Sequence, residues 1–297
     1  MRTLLAKADV FVQNLAPGAT EGLGLGSAGL RSANPRLTTC AISGYGASGP
    51  FGRRRAYDLL VQAESGVMST TGTPEEASKL GIAVADIGAG MYAFSAILAA
   101  LLDRERTGAG AQLSVSLFDA LVEWLGFQVA YTLGTGEQPA RSGARHATIE
   151  PYGPFAVADG TVYLGVQNDR EWRRLCTEAL GRAGLAEDPR FAGWAERVAN
   201  RQALKAEIEA ALGGRTCAEV MDALERAEIA CSRFNSVADL LSHPLLEERG
   251  RWRQVETPGG PIQATLPPVI WEGVEPAMGA VPGLGEHSAR IKEEFGL

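Results

Sequence analysis

Along the first 145 residues, short apolar runs alternate with segments whose apolar positions recur every three or four residues. Ala8-Asp-Val-Phe-Val-Gln-Asn14 reads as a buried strand stopped by the Pro17-Gly18 turn. Leu37-Thr-Thr-Cys-Ala-Ile-Ser43 reads as a second, running into the glycine-rich loop Gly44-Tyr-Gly-Ala-Ser-Gly-Pro50. Helical spacing follows at about 56–67, 87–104 and 115–133, the middle helix being closed by Thr107-Gly108-Ala-Gly110. In that helix Met91, Phe94, Leu98, Leu101 and Leu102 share one side, which predicts that this side is buried. Strands separated by helical segments predict a parallel sheet with helices on its faces.

At Pro151 the pattern changes. Tyr152 to Val166 alternates about Asp159-Gly160, a strong hairpin signal. Amphipathic helices are expected at 169–182, 200–212 and 216–227, then a strand near 229–235. Beyond Gly259-Gly260-Pro261, short extended pieces lead to a last helix carrying Ile291 and Phe295. The expected architecture is α/β: a Rossmann-like parallel-sheet large domain made by residues 1–145 plus 266–297, with a small α+β domain, 146–265, inserted in it.

Composition narrows the partners. A formal charge of −7 and a pI near 5.2 argue against nucleic acid or an anionic membrane surface as the general partner, so a polyanionic ligand must find a local basic patch. The uncharged run Ile87 to Leu102 is short for a bilayer span and the first residues lack an apolar signal core, so a cytoplasmic location is expected. Cys40, Cys176, Cys217 and Cys231 show no Cys-x-x-Cys spacing, and neither a metal site nor a disulfide framework is indicated.

The candidate chemistry begins with Asp86, which opens the uncharged run that ends at Asp103. Desolvation raises the pKa of such a carboxylate, whereas a helix N-terminus holds it ionised. A held, poorly hydrated carboxylate can serve as a nucleophile, and an aspartate at a helix entrance can equally be its N-cap. Gly24-Leu-Gly26-Ser-Ala-Gly29 spells a dinucleotide pattern but lacks a strand immediately before it and an acidic residue about twenty positions on, which points to a loop and helix start. Gly52-Arg53-Arg54-Arg55 is either a phosphate clamp or a solvated turn. Arg145 and His146, in Arg141-Ser-Gly-Ala-Arg145-His146, either bind a substrate carboxylate or belong to a basic linker. No Gly-x-Ser-x-Gly elbow exists, so serine hydrolysis is not indicated.

In order along the chain, Asn14-x-x-Pro17-Gly18, Asn34-Pro-Arg-Leu, Ile42-Ser-Gly-Tyr-Gly46, Ala56-Tyr57-Asp58, Ser69-Thr-Thr-Gly72, Asp86-x-x-x-Gly90, Arg106-Thr-Gly108-Ala-Gly110-Ala-Gln112 and Leu284-Gly-Glu-His287 resemble the family III CoA-transferases. That group includes formyl-CoA transferase, carnitine CoA-transferase and α-methylacyl-CoA racemase. The resemblance implies ping-pong transfer of CoA from an acyl-CoA to a carboxylic acid, with Asp86 as nucleophile and the CoA thioester as a substrate, not a permanently bound cofactor. It also implies that Asn14 and Pro17 contact CoA, that Arg55 lies near the CoA phosphates, that Tyr57 lines the active site, and that the protein is an interlocked homodimer. The racemase branch carries His-Asp where this chain has Tyr57-Asp58, and tyrosine is a poor second acid/base near neutral pH, which favours transfer over racemisation. The stretch Gly143 to Tyr152 is similar to that of members handling succinate, glutarate or mesaconate, which implies Arg145 and His146 as recognition groups for a second carboxylate. The glycine-rich lid of formyl-CoA transferase has no counterpart around Thr148-Ile-Glu-Pro151. Family members usually open with strand and helix units that precede Ala8, so a chain lacking N-terminal units is expected, and with it the alternative of a non-catalytic binding or assembly subunit.

Overall fold

The computed structural model describes residues 1–297, and their contacts divide them into two units, residues 1–232 and 233–297. The first unit is built on the expected parallel sheet. Strands β1 (Val10–Gln13), β2 (Thr38–Ser43) and β3 (Gln112–Ser116) lie in that order, with Val10 opposite Thr38 and Thr39 opposite Gln112. Strand β3 was not anticipated, because Leu113 and Val115 merge by apolar spacing into the helix that follows. That helix starts later, at Leu117, where the Ser116 side chain caps it by accepting from the Asp119 N–H at 3.0 Å. It is also two helices, Leu117–Trp124 and Gly126–Thr135, instead of one from 115 to 133.

The crossover from β2 to β3 carries the helices Asp58–Glu64 and Val84–Thr107. Because the second of these returns the chain to a parallel strand, its N-terminus stands at the carboxyl edge of the sheet, where open α/β sheets bind ligands. Its far end is fixed by two glycines. Gly108 takes the left-handed C-cap conformation at φ 76°, and a Cβ on Gly110 would lie 2.2 Å from the Leu37 carbonyl oxygen. Nearby, buried Arg104 pairs with Asp9 at 3.0 Å and donates to the Arg36 carbonyl at 3.2 Å, tying the helix to the entrances of β1 and β2.

The face that this helix buries is the reverse of the one expected. Val84, Ala85, Gly88, Ala89 and Ala93 are buried, and Val84, Ala85 and Ala89 pack with Val61, Leu117 and Leu121. Met91, Phe94, Leu98 and Leu102 are 58, 58, 51 and 71 % exposed. Close approach to sheet and flanking helices selects small side chains, so the large apolar residues mark the opposite, unpartnered face. By length and composition alone this helix is apolar enough to cross a membrane, yet its small-residue side contacts β2 and β3.

A second three-stranded sheet follows within the first unit. Strands β4 (Tyr152–Val157) and β5 (Gly160–Gly165) form the hairpin about Asp159-Gly160, and β6 (Ala230–Arg233) joins β5. Phe155, Val162 and Leu164 on the hairpin pack against Trp172, Ile208 and Leu224 from the helices. The helix expected over 169–182 is α-helical only from Asp169 to Arg174 and continues as a π-helical turn, Leu175–Ala179. In residues 233–297, strands β7 (Trp252–Val255) and β8 (Ile262–Thr265) pair about Gly259-Gly260, and Ser288–Phe295 is the last helix.

Candidate active site

Asp86 is the third residue of the helix Val84–Thr107, whose N-cap is Ala83. It is therefore not the cap that its position suggested. Alanine has no side-chain acceptor, and the role passes to a different helix: Asp58 Oδ1 accepts the Ala85 N–H at 2.8 Å. Asp58 Oδ2 in turn accepts from Gln62 Nε2 at 2.7 Å. Gln62 is fully buried; its Nε2 also donates to the Ile82 carbonyl at 3.4 Å, and its Oε1 accepts the Leu80 N–H at 2.9 Å. Two side chains one turn apart on the helix Asp58–Glu64 thus hold the whole entry segment from Leu80 to Ala85.

With the helix end satisfied from outside, the Asp86 carboxylate accepts no hydrogen bond and is exposed in the single chain. Its pKa is raised above the ordinary carboxylate value, first by partial burial and second by the charge of Asp58. A raised, unpaired carboxylate is more basic and so more nucleophilic than an ordinary one. Gly90, one turn further along the helix, has open space where a Cβ would point, so nothing from the chain obstructs approach along that side.

Asn14 and Pro17 are exposed just beyond the end of β1. Tyr57 is the N-cap of the helix Asp58–Glu64 and 73 % exposed. Tyr45 and Ala56 pack into the same cluster as Val84 and Ala85, which draws the loop after β2 and the Tyr57-Asp58 step towards the entrance of the nucleophile helix. Of the three adjacent arginines, Arg54 lies over the Phe51 ring at 4.0 Å and pairs with Glu64 at 3.9 Å. Arg55 is exposed and forms no salt bridge.

Arg145 and His146 sit where the linker meets the hairpin. Gln138, Arg141 and Gly143 donate to the carbonyls of Ser69, Thr73 and Gly72, which stitches the linker to the Ser69-Thr-Thr-Gly72 motif. Arg145 Nη1 faces Glu150 Oε1 at 3.5 Å, and Arg201 Nε faces the same oxygen at 3.8 Å. Glu150 is 1 % exposed, and burial raises its pKa against the opposing pull of the two arginines. Arg145 Nη2 has no partner, and His146 stacks on Tyr152 at 5.3 Å.

Asp58 and Gln62 were the residues that sequence reading missed as site components. Their signal was present: an acidic and an amide side chain four apart on one helix face, directly after Tyr57.

The profile of CoA-transferase family III matches residues 1–288. The acetyl-CoA:oxalate CoA-transferase of Acetobacter aceti is 34 % identical, over 98 % of this chain and 75 % of that protein. The succinate–glutarate CoA-transferase of Agrobacterium fabrum is 34 % identical, over 99 % of this chain and 74 % of that one. Among solved structures, a CAIB/BAIF family protein from Brucella suis superposes with a TM-score of 0.88 at 34 % identity, over 99 % of this chain and 77 % of that one.

Proposed function

This chain belongs to CoA-transferase family III and is a CoA-transferase, and from that premise we propose that it moves CoA from an acyl-CoA to a dicarboxylic acid through covalent intermediates on Asp86. The observation that carries the assignment to Asp86 is its carboxylate, free of hydrogen bonds at a helix entrance on the carboxyl edge of the sheet. An Asp86 oxygen attacks the thioester carbonyl, the C–S bond breaks, and a mixed anhydride and CoA thiolate result. The thiolate then attacks the aspartyl carbonyl, expels the donor acid as its carboxylate and leaves an aspartyl thioester. The acceptor carboxylate displaces that thiolate to give a second anhydride. Thiolate attack on the acceptor's carbonyl releases the new acyl-CoA and restores Asp86.

In this reading Asn14, Pro17 and the unpaired Arg55 hold CoA, Tyr57 lines the acyl site, and the unpartnered Nη2 of Arg145, with His146, meets the acceptor's second carboxylate. The dicarboxylate class is supported by the names of the relatives, which include oxalate, glutarate and mesaconate. The same names, and Tyr57 in the place of a second base, weigh against racemisation.

The test is chemical. The chain is incubated with succinyl-CoA and acetyl-CoA, quenched with hydroxylamine, and the peptide containing Asp86 is weighed. A hydroxamate on Asp86, and exchange that is faster with oxalate, succinate, glutarate or mesaconate than with acetate or butyrate, is the expected result. The absence of any adduct with either donor favours a non-catalytic binding subunit.

A mixed anhydride hydrolyses unless water is kept away, and Asp86 is open in the single chain. We therefore assign the exposed stripe Met91, Phe94, Leu98 and Leu102, on the same helix, to a homodimer interface in a cytoplasmic protein. Phe94→Asp with Leu98→Asp is expected to convert a dimer into a monomer in sedimentation equilibrium and to lower transfer in favour of acyl-CoA hydrolysis. A wild-type chain that sediments as a monomer, or a double variant that still dimerises, refutes this assignment.

A further inference from the structure

The chain contains two ordinary examples of what a carboxylate does at the third position of a helix. Glu219 folds back to Thr216, and Asp239 folds back to Ser236, each closing a capping box with its own helix end. Asp86 occupies the same position and does not fold back. Asp119, third in the helix Leu117–Trp124, also closes no such box, and what sets Asp86 apart lies outside its helix: the Asp58 carboxylate accepts the Ala85 N–H at 2.8 Å and is itself fixed by fully buried Gln62 at 2.7 Å. A second negative charge at the helix entrance also opposes inward rotation of the Asp86 carboxylate.

We propose that Asp58 is a positioning residue for acyl transfer: as a cap supplied from a neighbouring helix, and as a like charge beside the entrance, it keeps the carboxylate of Asp86 unspent and open to the thioester. This rests on Asp86 being the nucleophile. Gln62 completes the device, because all its side-chain hydrogen bonds run to Asp58 or to the segment Leu80 to Ile82, and it leaves Asp58 a single orientation. Asp58 is half-buried and touches no reacting atom in this account, so its effect falls on the rate of acylation and not on the affinity for acyl-CoA. The charge of Asp58 is also one of the two influences that raise the pKa of Asp86, the other being burial, so its removal moves the acidic side of the pH–rate profile downwards.

The experiment compares Asp58→Ala, Asp58→Asn, Asp58→Asn with Gln62→Glu, and Asp86→Asn, using succinyl-CoA and acetyl-CoA as donors. Adduct formation at Asp86, kcat, KM and the pH profile are read together. Asp58→Ala is expected to slow acylation by about 100-fold, the scale of a small misplacement of a reacting group, with KM for acyl-CoA unchanged. Asp58→Asn keeps an acceptor for Ala85 but opposes its amide to that of Gln62; acylation slows less, and the acidic limb moves to lower pH. Adding Gln62→Glu restores a donor against an acceptor at position 58 while leaving the Ile82 carbonyl without its donor, and is expected to recover part of the rate. A merely structural Asp58 would not move the acidic limb. If Asp58→Ala does not fold, Asp58→Asn decides. Wild-type acylation and an unmoved limb in Asp58→Asn, while Asp86→Asn forms no adduct, overturn this inference and leave the nucleophile in place. Undiminished exchange by Asp86→Asn removes the nucleophile and this inference together.

Discussion

Asp86→Ala is expected to reduce CoA exchange by roughly four to six orders of magnitude, the scale of losing a covalent nucleophile, which corresponds to about 5 to 8 kcal/mol of transition-state stabilisation. No other group in the scheme can replace it, because both anhydrides and the thioester between them are acyl derivatives of this one carboxyl. The side chain is exposed and unbonded, so its removal leaves the fold intact and thermal unfolding should match that of the wild type. Two further substitutions separate chemistry from geometry. Asp86→Asn keeps shape and loses the anionic oxygen, and it should be as inactive as alanine. Asp86→Glu keeps the charge but displaces it by one methylene, and a loss of about 100-fold is expected from misplacement alone. The wild-type rate should fall as pH drops through a value above the ordinary carboxylate range, since burial and Asp58 both favour the protonated form. Steady-state exchange of labelled CoA checks all three variants, and an Asp86→Ala chain within about tenfold of wild type would rule out the nucleophile.

How far this site could be read from the chain depends on the range of the interactions concerned. The strands β1 and β2, the helix that starts near Asp86 and the Asp159-Gly160 hairpin are local events, set by apolar runs and turn residues within a few positions of one another. Asp86 itself was visible because it opens an otherwise uncharged segment. Strand β3 was not, since five alternating residues run straight into a helix of the same apolar character. The orientation of the helix Val84–Thr107 was misread for a related reason. Periodicity reports that one side differs from the other, and it does not report which side is buried; that is decided by tertiary packing, here of Ala85 and Ala89 against Val61, Leu117 and Leu121 and of Gly88 against Trp124. The bond from Ala85 to Asp58 spans 27 residues and lies beyond any local pattern. The same holds for Arg145, whose basic linker gave no hint that Glu150 and Arg201 share its surroundings.

The largest expected loss of stability comes from a residue that has no part in the chemistry. Arg197, in the helix Trp194–Ala199, is 2 % exposed and its guanidinium bonds to three separate segments of the first unit. Its Nε donates to the Glu150 carbonyl at 3.2 Å, its Nη1 to the Phe191 carbonyl at 3.2 Å, and its Nη2 to Asp169 at 2.7 Å. The ring of Trp172 lies 5.4 Å from the guanidinium carbon. Arg197→Ala removes the donor from two backbone carbonyls and opens a cavity beside Trp172, and the expected cost is about 3 to 5 kcal/mol. In calorimetry this corresponds to a fall of roughly 10 °C in the Tm of the unit formed by residues 1–232. Arg197→Met fills most of the volume without restoring a donor and should recover only the packing part of the loss. Arg197→Lys keeps a charge but cannot reach three acceptors in one plane, and it should still cost about 1 to 3 kcal/mol. Because Arg197 grips the backbone of Glu150, whose carboxylate faces Arg145, the effect extends to acceptor choice. At temperatures where Arg197→Ala stays folded, adduct formation at Asp86 should persist while discrimination of dicarboxylates from monocarboxylates declines. A Tm within about 2 °C of wild type would show that the three bonds of Arg197 contribute nothing net, and unchanged discrimination would detach the Glu150 to Arg145 contact from the acceptor site.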